Sequence, residues 1–306
     1  MEVKTNSLQA WLLASRPKTL SGAAAPVILG GALAWVAPYS FRWWVFFLAL
    51  LFALLMQVAA NLINDYYDWK KDSDRNEDRL GPERACSQGW ITPAAMKRGI
   101  AAVTAAACLV GIPLAVVGGW WLIGIGALCV VFAFVYSTSF SYLGLGDLLV
   151  LVFFGIVPVG FTFLVLTEGH WTTEVTLVGL AQGVVTDMLL MVNNYRDRHQ
   201  DRLSNKKTLI VRVGNLFRKS TNADEIEALF GKYGYLVLGI SGVVITLAAN
   251  HSILMILILL LWLRLHYKAF REMEMSEGRE LNAVLGRTSV NIFLFAILVS
   301  LAIVLE

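Results

Sequence analysis

Asn61, Asn64, Asp65, Asp68 and Asp72 close an apolar run, Trp43 to Ala60, long enough to cross a bilayer. Carboxylates at the end of such a run are costly unless compensated, so an ionisable cluster there marks a site in preference to an ordinary hydrophilic helix end. At about 100° per residue, the five residues fall within one broad face of a helix. Carboxylates arranged this way repel one another unless cations lie between them. Oxygen ligands with room for phosphate oxygens are the set that magnesium prefers. A second run, Val175 to Val192, ends in Asn193-Asn194-Tyr195-Arg196-Asp197-Arg198-His199-Gln200-Asp201. Asn193, Asp197 and Asp201 are spaced i, i+4, i+8, and Asn194 lies close to the same face. Two acidic helix ends that face each other can hold a pair of Mg2+ ions around a diphosphate.

The elements that must position these residues are membrane helices. Of 306 residues, 57% are hydrophobic and only 15% charged, a balance that belongs to a polytopic membrane protein rather than a soluble domain. Nine apolar runs, roughly 19–38, 43–66, 100–117, 119–137, 145–166, 174–195, 233–250, 252–268 and 288–305, predict an all-α bundle of about nine transmembrane helices with cytoplasmic cap loops, a single domain over 1–306. The tight Gly118-Gly119 junction separates two of them. With the N-terminus inside, every Lys and Arg except Arg42 falls on the cytoplasmic side, as the positive-inside rule requires. That orientation places both acidic motifs at the cytoplasmic face of the cell (inner) membrane. Residues 1–16 show no cleavable signal pattern and read as a short interfacial helix leading to Arg16 and Lys18.

Cys86, Cys108 and Cys129 have no disulfide or zinc spacing and are expected to be reduced. Of the four histidines only His199 lies in a motif, where it is expected to be a bystander. The basic loops flanking the motifs can neutralise diphosphate oxygens, with Lys207 and Arg212 the leading choices. Ile210–Leu216 followed by Thr221–Phe230 is similar to the opening of an RNA-recognition motif. The aromatic second signature is missing, so no nucleic-acid partner is expected, and Ala223 to Phe230 reads as an amphipathic helix across the mouth of the bundle. Asp187, in the middle of the sixth run, fits either a buried acid hydrogen-bonded to Thr104, Thr138 or a neighbouring helix, or a substrate contact.

The pattern Asn64-Asp65-x-x-Asp68-x-x-x-Asp72, with the later Asn-x-x-x-Asp-x-x-x-Asp, resembles the UbiA superfamily of intramembrane aromatic prenyltransferases. Arg16-Pro-Lys-Thr-Leu20, Arg79-Leu-Gly-Pro-Glu-Arg84, Tyr142-Leu-Gly-Leu-Gly-Asp147 and Lys207-Thr-Leu-Ile-Val-Arg-Val-Gly214 resemble its 1,4-dihydroxy-2-naphthoate polyprenyltransferase branch of menaquinone biosynthesis. The resemblance implies Mg2+-dependent transfer of a polyprenyl group from polyprenyl diphosphate to an aromatic acid, with loss of the acceptor's carboxylate and demethylmenaquinone as product. It implies metal ligands among Asn64, Asp65, Asp68, Asp72, Asp74, Asn193, Asp197 and Asp201. Substrate contacts would come from Asn61, Asn64, Lys71, Asn193, Asn194, Arg196, Lys207 and Arg212. Tyr136, with Tyr66, Tyr67 and Tyr195 nearby, would steady an allylic cation. The superfamily places its third aspartate at Asp72 and the naphthoate branch at Asp74; helix periodicity favours Asp72 as the direct ligand. No obligate protein partner is implied. Transfer to 4-hydroxybenzoate, homogentisate or a tetrapyrrole stays open. So does a cation-coupled transporter, although its acids would sit at midplane between inverted repeats.

Overall fold

A computed structural model describes residues 3–70, 80–135, 144–217 and 222–306. Among them every regular element is helical: α1 (Leu8–Ser15), α2 (Pro17–Val36), α3 (Trp43–Lys70), α4 (Pro93–Gly118), α5 (Leu122–Val135), α6 (Gly146–Leu166), α7 (Thr173–Leu203), α8 (Leu209–Leu216), α9 (Ala223–Ala249), α10 (Ile253–Met275) and α11 (Leu281–Leu305). Eight helices, α2–α4, α6, α7 and α9–α11, are long and apolar enough to span a membrane. Among the described residues α5 is apolar as well but shorter, so the expected nine is approximate. The chain is a multi-pass membrane protein of the predicted all-α class.

Local chemistry sets the helix starts. Thr92, Thr172 and Ser252 accept the backbone N–H three residues on, at 3.3, 3.2 and 3.1 Å, and so cap α4, α7 and α10. Gly119, at φ +106°, lets α4 stop sharply before α5. Arg16 adopts the left-handed conformation, φ 50° and ψ 69°, between α1 and the proline that opens α2. A non-glycine residue there is strained, and it aims the two helices in different directions.

The main core is built from the facing sides of α2, α6, α7, α9, α10 and α11, with Trp262, Tyr235 and Phe295 fully buried. A π-helical turn, Val152–Ile156, interrupts α6. There Gly155 meets Gly179 and Gly183 of α7 so closely that a Cβ on Gly155 would lie 2.4 Å from the Gly179 carbonyl. A second cluster joins α1, α3, residues 85–91 and the start of α4 around Leu62, Ile63 and Met96. Leucines such as Leu257, Leu260 and Leu261 remain outward, as lipid contact requires. One expectation is corrected: Ala223 to Phe230 is no separate helix across the mouth but the first turns of the continuous α9. Its buried Glu227, ion-paired with Arg202, ties those turns to α7.

Candidate active site

Between α2, α3, α5, α6, α7 and α11 lies a cavity of about 850 Å³. Its walls are largely apolar, and the rings facing it include Phe52, Phe132, Phe153, Phe154 and Phe161. Phe132 and Phe153 pack against each other at a tilt of 44°, with centroids 4.5 Å apart. Its polar groups include Arg16, Lys18, Asn64, Asn193, Arg196 and Asn282. A long apolar space with cations and amides in its wall suits a molecule with an anionic head and a hydrocarbon tail.

On α3 the acidic motif divides its work among faces. Asn64 lines the cavity. Asp65 is only 1% exposed, and its two oxygens accept the backbone N–H groups of Ala85 and Cys86 at 2.8 and 2.9 Å. Asp68 pairs with Arg84. The stretch 84–86 is therefore clamped onto the motif by charge-assisted bonds. Burial, and then the charge and hydrogen bond of Asp65, push the Cys86 thiol up to about 12, so it stays protonated. Burial pulls the Arg16 guanidinium below its usual value, while the carboxylates of Asp65 and Asp68 act in the other direction. Asn61 does not line the cavity. Its amide donates to the Ser15 carbonyl and Thr19 Oγ1 at 2.8 and 2.9 Å, which fastens α3 to the α1–α2 junction. Asn61, Asn64, Asp65 and Asp68, the four described residues of the face expected to be shared, are thus distributed between the cavity, the 84–86 segment and that junction.

On α7, Arg196 is the organising residue. It is 4% exposed and grips both oxygens of Asp197, at 2.8 and 2.7 Å, as well as the side-chain oxygens of Asn193 at 2.7 Å and Asn282 at 2.8 Å. Asp201, one turn further on, is buried and paired with Lys206 at 3.2 Å. Asn194 is buried on another side of the helix. Lys71, Asp72, Asp74 and Tyr136 lie outside the described residues, as does Thr138.

Lys207 and Arg212 are exposed and stand outside the cavity wall; the Lys207 carbonyl and the Arg212 side chain pack over Gly144, whose φ of +67° admits that approach. The described tyrosines near the motifs have their rings engaged elsewhere. Tyr195 is fully buried beneath the Arg198 guanidinium, 4.4 Å from its ring, and Tyr66 sits in a Tyr67–Trp69 cluster with the Lys97 ammonium 5.6 Å away. Among the described residues, the rings that line the cavity are phenylalanines. Asp187 is buried, and of the partners offered for it Thr104 is excluded, because Thr104 Oγ1 is without a hydrogen bond. Arg16, Lys18 and Asn282 were missed as cavity residues. The motif Arg16-Pro-Lys-Thr flagged the first two by resemblance, whereas nothing in the local sequence of Asn282 marks it.

Among the described residues, no three His, Cys, Asp or Glu side chains converge on one point. The donor set still fits magnesium in kind. Asp68 and Asp197 are partly exposed, at 29% and 21%, and each already faces a cation, while Asn64 and Asn193 add neutral oxygens at the cavity. Beside Asp65, burial first and then the carboxylate push the Cys86 thiol up to about 12.

Residues 23–294 match the UbiA prenyltransferase family. The chain belongs to that family. It is 38% identical over 231 residues to 1,4-dihydroxy-2-naphthoate octaprenyltransferase of Escherichia coli, covering 70% of this chain and 72% of the relative. To the Mycobacterium tuberculosis protein of the same name it is 37% identical over 217 residues, covering 68% and 71%. The fold matches a UbiA homolog from Aeropyrum pernix K1 with a TM-score of 0.67 at 15% identity, over 95% of this chain and 98% of that one. It also matches a UbiA homolog from Archaeoglobus fulgidus bound to GPP and Mg2+, with a TM-score of 0.63 at 15% identity over 97% and 100%. Those identities are low, so the likeness to the UbiA homologs establishes the shared fold and the chemistry rests on the residues themselves.

Proposed function

We propose that this UbiA family member, a single transmembrane domain over 1–306, transfers a polyprenyl group from polyprenyl diphosphate to 1,4-dihydroxy-2-naphthoate. The observation that carries the reading is the cavity: one long apolar space with Asn64 of the first motif, and Asn193 and Arg196 of the second, in its wall. The identity to the naphthoate octaprenyltransferases supports the choice of acceptor.

The allylic C–O bond breaks and the diphosphate leaves with its electron pair. A ring carbon of the acceptor supplies the electrons for the new C–C bond, and the carboxylate departs as carbon dioxide. The product is the demethylmenaquinone skeleton in its quinol form. Arg196, Arg16 and Lys18 meet the anionic head. Magnesium, when bound, takes up the charge that develops on the leaving diphosphate. Asn64, Asp68, Asn193 and Asp197 would hold it, with Asp72 or Asp74 completing the first motif; Asp65 supports the set from behind by fixing residues 84–86. Phe132, Phe153 and Phe154 keep water from the allylic carbon and offer π faces to its positive charge. The charge distribution supports a cytoplasmic site in the cell's inner membrane.

Purified protein incubated with labelled prenyl diphosphate, Mg2+ and a panel of aromatic acids tests the reading. A decarboxylated adduct of the dihydroxynaphthoate is expected. A product formed only with 4-hydroxybenzoate, or one that keeps its carboxylate, overturns the acceptor assignment. Ion movement across proteoliposomes without any prenylated product overturns the enzyme.

A further inference from the structure

We propose that Asn282 is a positioning residue that couples the two acid-bearing helix ends, a reading that rests on the diphosphate site just described. Asn282 stands in the first turn of α11, in the third of the chain that carries no recognisable motif. Both ends of its amide are engaged. Oδ1 accepts from Arg196 Nη1 at 2.8 Å, and Nδ2 donates to the Leu80 carbonyl at 2.8 Å. Beyond Arg196 lie Asn193 and Asp197. Beyond Leu80, the same stretch of chain carries Arg84, which pairs with Asp68, and the Ala85 and Cys86 amides, which hold Asp65. One side chain therefore links the second motif to the stretch of chain, residues 80–86, that holds the first, and it does so in the cavity wall.

The link needs an amide. Alanine would leave an Arg196 N–H and the Leu80 carbonyl without this partner. Aspartate would keep the acceptor, lose the donor and add a charge that competes with Asp197 for the guanidinium. A diphosphate gripped from two helix ends is held well only if their separation is fixed, because small displacements weaken contacts on both sides at once. Asn282 thus acts on the diphosphate through Arg196 and residues 80–86. The aromatic acceptor should not register its loss.

The full-length protein in nanodiscs, as wild type, Asn282→Ala and Asn282→Asp, is examined in three ways. Hydrogen exchange at Ala85 and Cys86 is read without metal. Binding of Mg2+ with inorganic pyrophosphate is read by calorimetry, and transfer kinetics give KM for each substrate. Both variants should speed exchange at Ala85 and Cys86 and weaken pyrophosphate binding, each by about tenfold. KM for the prenyl diphosphate should rise in step while KM for the aromatic acid stays put. If Asn282→Ala proves too unstable to purify, Asn282→Asp carries the test alone. Unchanged exchange and binding, or exchange that rises equally along α10 and α11, overturns the proposal in favour of simple packing. A wild type that binds Mg2+ and pyrophosphate with this coupling but transfers no prenyl group sinks the functional reading alone. A wild type that transfers normally and variants that match it sink only the role of Asn282.

Discussion

Asp65→Asn, made in a background carrying Cys108→Ala and Cys129→Ala, should expose Cys86 to alkylation. In the wild type the two carboxylate oxygens accept the Ala85 and Cys86 N–H groups, and Asp65 is 1% exposed. Asparagine keeps one acceptor but turns an NH2 group toward the other N–H. Losing a charge-assisted bond costs about 1.5–3 kcal/mol and stranding a buried N–H about 1–3 kcal/mol more, for a total on the order of 3 kcal/mol. At about 1.4 kcal/mol per decade, that makes detachment of residues 84–86 roughly a hundredfold more frequent. The thiol gains a second advantage. Its pKa of about 12 owes its rise first to burial and then to the charge and hydrogen bond of Asp65, so removing the carboxylate lowers it and enlarges the thiolate fraction at any pH below it. The assay is the rate of maleimide addition to Cys86 near neutral pH, without magnesium. Acceleration by two orders of magnitude is expected. A rate within threefold of the wild type would refute the claim that Asp65 holds this segment.

Arg196→Lys keeps the charge but loses the fork that grips both Asp197 oxygens, Asn193 and Asn282 together; KM for the prenyl diphosphate should rise about tenfold, read by steady-state kinetics. Asp72→Asn should raise the magnesium requirement steeply, and Asp74→Asn only mildly, in a magnesium titration of turnover. The reverse order would mean that the helix ends before Asp72. Ser204→Cys, at an exposed position just past α7, should resist a membrane-impermeant thiol reagent in intact cells and react after permeabilisation; ready labelling from outside would invert the topology.

Hydropathy located the membrane helices because lipid contact is written locally in the sequence. Their ends were harder to read. α4 starts at Pro93 rather than near 100, and α7 runs to Leu203 rather than 195, since both helices outlast the bilayer and caps such as Thr92 set the start independently of hydropathy. Gly118-Gly119 did mark a real break, which the positive φ of Gly119 makes sharp. In the site, spacing singled out Asn64 and Asn193 and the resemblance pointed to Arg196; all three line the cavity. Spacing could not tell which oxygens face the cavity. The distribution of Asp65, Asn61 and Asp68 is decided by partners far along the chain, Cys86, Ser15 and Arg84, and helical periodicity carries no record of them. Asn282 was invisible for the same reason: its importance lies in what meets it, Arg196 and Leu80, and not in its neighbours. Among the described residues the rings that line the cavity are phenylalanines on α3, α5 and α6, while Tyr136, the leading tyrosine, lies outside those residues.

The most direct test of prenyl transfer with decarboxylation is the fate of the acceptor's carboxyl carbon. Dihydroxynaphthoate labelled at that carbon, incubated with a polyprenyl diphosphate, Mg2+ and the purified protein, should release one labelled carbon dioxide per prenylated product. Chelation of magnesium, or Asp197→Asn, should abolish both signals together. A prenylated product that retains the label would contradict the account, and so would label release that continues without the diphosphate donor.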